Sequence, residues 1–260
     1  MKRTVMMFVL TLATASLAWA QEAAPKPAPE AAAKPEAKAA ALPSIDDVLA
    51  KYIKASGGED AIKKITSRVM KGTFDLPAMG ANGTVEMVSK APNLNFMKIE
   101  VGGFGAIVRV FDGKAAWSQD PASGLRELQG VELAQMKLQS DFHRELKMKE
   151  LYKSLTVKGR EKLAGGPAIM VEAIPAEGSP EKYYFDEVTG LLVRHDSEPE
   201  SPEGKMPTES TFEDYKMVDG VNISHTMKQT TPAFAITIKI EEIKSNVAIE
   251  NTKFGKPAAQ

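Results

Sequence analysis

The sequence predicts a mainly β protein with some α-helix, in which one large, strongly curved antiparallel sheet carries helices on one side. Apolar and polar residues alternate from Thr66 onward, which is the pattern of strands that bury one face. Turn dipeptides such as Asp112-Gly113 and Asp219-Gly220 join neighbouring strands and predict an antiparallel meander. Two stretches with helical spacing, one before the strands and one between two runs of them, supply the helices.

The first predicted element is a helix that begins after Ser44. Ser44 is a preferred N-cap residue, and acidic residues in the first turn complement the positive end of the helix dipole. The apolar stripe of this helix consists of Ile45, Val48, Leu49, Tyr52 and Ile53. The Gly57-Gly58 pair ends the helix, and residues 59–65 are predicted to form a short second helix.

The strands are predicted in two runs. The first run consists of the alternating segment from Val69 to Leu76 and of residues 84–90, 94–101, 106–111, 115–119 and 125–128. A helical stretch over residues 131–152 then interrupts the sheet. The second run consists of residues 155–163, 168–174, 182–185, 191–195, 208–217, 221–228 and 234–243, with a loop rich in Pro, Glu and Ser at residues 197–207. No composition shift marks a boundary inside residues 44–255, so they are interpreted as a single domain with a tail at residues 256–260.

An export signal is predicted at the N-terminus. Lys2 and Arg3 precede an apolar run, and Ala18-Trp19-Ala20 is the small-x-small pattern of a signal-peptidase site. The apolar run is shorter than the roughly 20 residues that span a bilayer. Residues 1–20 are therefore interpreted as a cleaved signal peptide in preference to an uncleaved membrane anchor.

Composition narrows the class of the mature protein. Residues 21–43 contain almost only Ala, Pro, Lys and Glu, which is typical of a disordered leader; a solubilising tail is favoured over a spacer that holds the domain away from a membrane. The chain has no cysteine, which excludes acyl anchoring through a lipobox, disulfides and thiolate metal sites. The formal net charge of −1 does not favour nucleic acid as a partner.

The sequence contains no recognisable catalytic or metal-binding pattern. The histidines are spread over one predicted helix and two separate strands, at His143, His195 and His225. Three carboxylates near a later hairpin are interpreted as a solvated rim, at Glu181, Asp186 and Glu187. We therefore expect a protein that is not an enzyme and that has no metal or cofactor. A hydrolase with dispersed carboxylates is the less favoured alternative.

Apolar side chains point instead to a ligand cavity. Methionine is frequent, with 13 in the chain, and its flexible, polarizable side chain suits surfaces that accept acyl chains, although core filling is the commoner role of any one methionine. The concave face of a curved sheet has to be filled by a helix, by side chains or by a guest. The residues predicted to line an apolar cavity are Phe74, Met87, Phe96, Met97, Val108, Trp117, Met136, Phe142 and Phe234.

Three segments carry a resemblance to a known family. Residues 183–194, YYFDEVTGLLVR, contain an aromatic residue and Asp followed by Thr-Gly-Leu-Leu-x-Arg, and residues 212–221, FEDYKMVDGV, contain a strand and a turn. The third segment consists of residues 57–62, GGEDAI, and residues 66–74. Together with the order of elements, these segments resemble the LolA/LolB-like superfamily of outer-membrane lipoprotein-sorting proteins over roughly residues 44–250.

The resemblance implies both a fold and a function. The fold would be an incomplete, half-open β-barrel with a helical lid, formed by residues 44–65 and 131–152, over a hydrophobic cavity. The function would be that of a soluble, monomeric periplasmic carrier or sensor, with lipid or lipoprotein acyl chains as its ligands, transient membrane contact and envelope proteins as further partners. An envelope protein-interaction module whose cavity is filled by its own side chains is the alternative.

Overall fold

The computed structural model of the protein describes residues 41–201 and 204–258. The predicted signal peptide at residues 1–20 and most of the predicted leader at residues 21–43 lie outside the described residues, so both stay predictions. Within the described part of the chain, none of the helices has the length and apolar character needed to cross a membrane.

The described residues form four α-helices and fifteen strands. The helices are α1 (Ile45–Ala55), α2 (Glu59–Lys64), α3 (Gly130–Ser140) and α4 (Arg144–Leu151). The strands are β1 (Ser67–Leu76), β2 (Ala81–Lys90), β3 (Leu94–Val101), β4 (Gly105–Phe111), β5 (Ala116–Asp120), β6 (Gly124–Glu127), β7 (Tyr152–Leu163), β8 (Gly166–Pro175), β9 (Glu181–Asp186), β10 (Leu192–Ser197), β11 (Glu200–Ser201), β12 (Gly204–Lys205), β13 (Thr208–Val218), β14 (Val221–Thr230) and β15 (Ala235–Ser245).

The start of α1 confirms the predicted cap. The backbone N–H of Asp47 donates to the side-chain oxygen of Ser44 over 3.1 Å, and the Asp47 carboxylate accepts from the backbone N–H of Ser44 in return. This reciprocal capping box satisfies backbone donors that have no partner inside the helix.

The predicted helix over residues 131–152 is wrong in one respect, because the structure has two helices there. The break lies at Asp141, whose carboxylate accepts hydrogen bonds from the backbone N–H of His143 (3.1 Å) and from the ammonium of Lys147 (2.9 Å). A short polar side chain that bonds to nearby backbone competes with the helical pattern in this way. The backbone N–H of Phe142 donates to the carbonyl of Pro92, which ties the break to the turn between β2 and β3.

The connection between β4 and β5 also differs from its prediction. It is a four-residue turn over residues 112–115, not a two-residue hairpin turn. The Asp112 carboxylate accepts from the backbone N–H groups of Lys114 and Ala115, each over 2.8 Å. Asp therefore acts here through its side chain, which organises the turn.

Thirteen strands form one antiparallel sheet with two free edges. Their order across the sheet is β6-β5-β4-β3-β2-β1-β15-β14-β13-β10-β9-β8-β7. Each predicted run of strands forms a meander, and the pairing of β1 with β15 joins the two meanders into one surface. The predicted fold class is confirmed: a curved, open half-barrel with helices on one side.

Helices α1 and α4 pack on the inner face of the second run of strands. Val48 and Leu49 of α1 and Met148 of α4 are buried in one cluster with residues of β8 and β9, among them Tyr183 and Phe185. Burial of this kind stabilises a protein by about 25 cal/mol per Å² of apolar surface removed from water. The helical lid is therefore held by its own apolar stripe.

The outer face of the first run of strands is covered by the end of the chain. Phe254, which is 1% exposed, packs against Val88, Val110 and Trp117. The Lys253 ammonium lies 3.9 Å from the centre of the Phe96 ring. The apolar character of both faces of these strands thus has a structural explanation, because the C-terminal residues cover the face that the helices do not.

Candidate functional site

A cavity of about 310 Å³ lies where α1 and α4 cross the inner face of the sheet. Its volume is at the lower end of the roughly 300–1,000 Å³ typical of ligand pockets. The apolar side chains that line it are Met70, Met87, Met148, Phe185, Leu192, Phe212, Val221, Ile223, Met227, Ile238 and Ile240. The remaining lining side chains are Tyr52, Ser56, Arg68, Arg144, Glu145, Tyr183, His195, Tyr215, Asn222 and Ser224.

Strand register explains why the apolar residues meet. Residues paired across an antiparallel sheet point to the same face. Met70 of β1 pairs with Met87 of β2, and Met227 of β14 pairs with both Phe212 of β13 and Ile238 of β15. The cavity floor is therefore an apolar strip that runs across five strands on both sides of the joint between β1 and β15.

Four of the lining residues are methionines: Met70, Met87, Met148 and Met227. They come from β1, β2, α4 and β14, so flexible side chains face the cavity from the lid as well as from the floor. A thioether side chain adapts to irregular shapes at little cost. Such a wall suits a guest without a fixed outline.

A buried polar network lies beside the cavity, centred on Glu181. Its carboxylate accepts from the hydroxyls of Tyr152 and Tyr183, each over 2.8 Å, and lies 2.9 Å from Nε2 of His195. The rings of Tyr183 and His195 stack with their centres 4.3 Å apart. Arg144 of α4 donates to the Tyr183 hydroxyl over 2.7 Å, which links the helix to the sheet.

The network changes the acidity of its members. Burial acts to raise the pKa of Glu181, but the hydrogen bonds and the charge of His195, with the bonds from Tyr183 and Tyr152, outweigh it and lower this pKa to about 2. Burial raises the pKa of Tyr183 well above its ordinary value. Burial likewise raises the pKa of Tyr52, on the cavity wall, to about 12. Glu181 is thus ionised and both tyrosines are protonated donors near neutral pH.

The structure contradicts the interpretation of Glu181 as part of a solvated rim. Glu181 is only 9% exposed. It lies two and four residues before Tyr183 and Phe185 on β9, so its side chain points to the same inner face as theirs. The spacing of two between residues 181, 183 and 185 could have indicated this burial, because it places Glu181 on the same face as two aromatic residues. Within residues 41–201 and 204–258, no group of His, Asp or Glu is arranged to hold a metal ion.

Of the nine residues predicted to line the cavity, the structure places Met87 on its wall. Phe74, Met97 and Phe234 belong to an apolar cluster on the inner face that also contains Met87 and the cavity residue Ile238. These three therefore lie next to the lining residues on the same face.

The other five predicted residues lie elsewhere. Phe96, Val108 and Trp117 are on the outer face, in the cluster around Phe254. Met136 packs against Phe111 and Leu128, and Phe142 packs against α2 and the start of β14. Strand parity did not reveal which face points inward, because both faces of β3 and β4 carry apolar residues. The cavity residues of β13 to β15 were missed because alternation within a strand does not show which strands it pairs with.

Comparisons with known proteins identify the fold. No protein-family model matches the chain, and no curated protein matches its sequence. A DUF1329 family protein from Desulfovibrio piger has a TM-score of 0.55 with 12% identity, covering 81% of this chain and 97% of that chain. A LolA superfamily protein from Nitrosomonas europaea has a TM-score of 0.54 with 11% identity, covering 83% and 99%. A domain from Vibrio parahaemolyticus, described as an outer membrane lipoprotein-sorting protein, has a TM-score of 0.50 with 13% identity, covering 80% and 97%.

Proposed function

Given its LolA-like fold, we propose that this protein is a non-enzymatic carrier or sensor that holds an acyl chain of a lipid, or of the lipid part of a lipoprotein. The observation that carries the proposal is the cavity of about 310 Å³ under α1 and α4, with its apolar and methionine-rich wall. The match in fold to a domain described as a lipoprotein-sorting protein supports the same class of ligand.

Two features favour a carrier over the alternatives. An interaction module with a filled cavity would have side chains in the space between α1, α4 and the sheet, whereas that space is open. A hydrolase would need an acid or base directed at a substrate, and the most buried candidate, the Glu181 carboxylate, is engaged by Tyr152, Tyr183 and His195 instead. The network is better suited to holding the cavity wall in place.

The proposed site of action is the periplasm. The proposal rests on the predicted signal peptide, cleaved after Ala20. N-terminal sequencing of protein recovered from a periplasmic extract is expected to begin at Gln21. A chain that retains Met1 to Ala20 in a membrane fraction would contradict this location.

Filling the cavity tests the function directly. Ile240 lines the cavity from β15, and Ile240→Trp would add bulk where the acyl chain is proposed to lie. We expect this variant to bind a fluorescent fatty acid at least about tenfold more weakly, because the guest and the indole compete for one volume. Met217→Trp is the matched control, since Met217 is 60% exposed on β13 and is outside the cavity lining.

Mass spectrometry of organic extracts from natively purified protein supplies the complementary measurement. We expect wild-type protein to carry a lipid and Ile240→Trp to carry less of it. A wild-type protein that is reproducibly empty and also takes up no fluorescent fatty acid would contradict the proposed function.

A further inference from the structure

Arg68 is a cation at the cavity wall whose guanidinium has an unpaired hydrogen-bond donor. It is the second residue of β1, and its guanidinium lies 5.8 Å from the centre of the Phe142 ring. Among the described residues, no ion pair joins Arg68 to a carboxylate, and its Nε is buried without a hydrogen-bond partner. Its neighbour across the sheet, Ser245, also has a buried side-chain oxygen with no partner.

Leaving these two polar atoms buried and unpaired costs folding free energy unless a ligand or water binds them. Burial lowers the pKa of Arg68, because it disfavours the charged form, while the charges of Glu145 and Asp219 oppose this effect. A buried charge without a hydrogen-bonded partner is expensive, and a buried polar atom left unpaired in a folded protein calls for a partner such as a ligand or water.

The unpaired Nε–H of Arg68 is a charged donor, which favours an anion as that partner. The lining contains two cations, Arg68 and Arg144, and one carboxylate, Glu145. Arg144 is engaged with the Tyr183 hydroxyl. Arg68 carries a planar guanidinium, and Ser56 and Asn222 are further polar residues of the same cavity lining.

From this geometry we propose that the ligand is an anionic amphiphile, whose carboxylate or phosphate group binds Arg68 while its acyl chain lies along the methionine-rich wall. The inference rests on the proposed carrier function and names its class of ligand. A guanidinium suits both groups because each presents two oxygens to its parallel N–H donors.

Displacement of the uncharged dye N-phenyl-1-naphthylamine from delipidated full-length protein tests the inference. Oleate, oleyl phosphate and oleyl alcohol share one chain and differ in charge. We expect both anions to bind wild-type protein about tenfold or more tightly than the alcohol, since hydrogen bonds to charged groups are worth roughly that factor. Inorganic phosphate without a chain is expected to displace no dye at the same concentration.

Variants on β1 locate the effect. Arg68→Gln is expected to bind the anions about tenfold more weakly and the alcohol unchanged, whereas Arg68→Lys retains part of the preference because it retains a cation. Lys71→Gln removes an equal charge from an exposed position three residues along the same strand and is expected to behave as wild type. Circular dichroism and thermal unfolding establish that each variant is folded.

The outcomes separate the two proposals. Equal binding of the alcohol and the anions, unchanged by Arg68→Gln, would overturn the anion site and leave the carrier function standing. Displacement by inorganic phosphate alone would overturn the amphiphile as the ligand class. No displacement by any of the three oleyl compounds would contradict the carrier function itself.

Discussion

Glu181 shows how a single carboxylate can organise one wall of the cavity. It accepts hydrogen bonds from Tyr152 of β7 and Tyr183 of its own strand, and it meets His195 of β10. Through Tyr183 the network reaches Arg144 at the start of α4. The charge of Glu181 therefore helps to fasten the lid helix to the sheet, since a charge-assisted hydrogen bond is roughly twice as strong as a neutral one.

The pH dependence of stability should report this charge. The folded-state pKa of Glu181, about 2, lies below its ordinary value of 4.5, so its stabilisation is fully present above pH 4.5 and is lost as the pH falls towards 2. We expect Glu181→Gln to lower the free energy of unfolding at neutral pH by on the order of 3 kcal/mol, because one pKa unit corresponds to about 1.4 kcal/mol. The difference between variant and wild type should shrink between pH 4.5 and 2, as measured by urea unfolding.

The exposed Glu177 provides the control for this prediction. Glu177→Gln is expected to stay within about 0.5 kcal/mol of wild type, as surface substitutions usually do. A loss in Glu181→Gln that stays constant from pH 7 to 2 would show that shape, and not charge, makes residue 181 important.

At the scale of elements, the end of α1 is fixed against the turn between β13 and β14. The backbone N–H of Asn222 donates to the carbonyl of Ser56 over 2.9 Å, and its side-chain amide donates to the carbonyl of Ala55 over 2.8 Å. Gly57 follows with a φ of +120°, and a Cβ built there would lie 2.1 Å from the carbonyl oxygen of Gly220. Only glycine permits this close approach of two backbones.

A pair of glycine substitutions tests this contact. Gly57→Ala must move α1 away from β14, so we expect it to lower the free energy of unfolding by roughly 3 kcal/mol or more and to loosen the lid. Gly58→Ala is the matched control, because Gly58 also has a positive φ, +88°, but a Cβ there meets nothing within 4 Å. It should cost about 1–3 kcal/mol, the strain of a φ of +88° with a ψ of 158°, whereas Gly57→Ala adds the clash with Gly220 to its own strain. Equal losses in the two variants, measured by chemical unfolding, would contradict the proposed close contact.

The elements themselves could be predicted from local sequence, but their junctions could not. Ser44 and the Gly57-Gly58 pair mark the bounds of α1, and the strand Leu94–Val101 has the bounds that were predicted for it. The break at Asp141 depends on the hydrogen bond from the backbone N–H of Phe142 to the carbonyl of Pro92, which is distant in the sequence. The spacing of apolar residues within the helical stretch therefore does not reveal the break. Local sequence patterns therefore predict a helix or strand, whereas the end of that element depends on its contacts with residues distant in the sequence.

At the scale of the whole molecule, one pairing determines where the cavity lies. β1 and β15 are far apart in the sequence, and their pairing places Met70 of β1 and Met87 of β2 on the same face as Met227 of β14. Both strands carry ordinary alternating patterns, and such a pattern does not show which other strand each one pairs with. The sequence therefore predicted an apolar cavity on the concave face and one of its lining residues, Met87, but not the lining residues that β13 to β15 supply.

The residues that follow β15 cover the outer face of the sheet, opposite the cavity. β15 leads into the segment that places Phe254 among Val88, Val110 and Trp117, so the last part of the chain packs on the first run of strands. Lys253 adds an ion pair with Glu86 over 2.8 Å. The outer cluster is separated from the cavity by the sheet itself, which predicts that it contributes to stability and not to ligand binding.

Phe254→Ala tests that separation of roles. Truncating a fully buried phenylalanine is expected to lower the free energy of unfolding by about 3–5 kcal/mol. Affinity for a fluorescent fatty acid, measured well below the unfolding temperature, should stay within about twofold of wild type, because no cavity residue changes. Phe104→Ala is the matched control, since Phe104 is 59% exposed and its truncation should change neither quantity. If Phe254→Ala weakened ligand binding in the folded protein, the two faces of the sheet would be coupled, and the outer cluster would be part of the binding machinery.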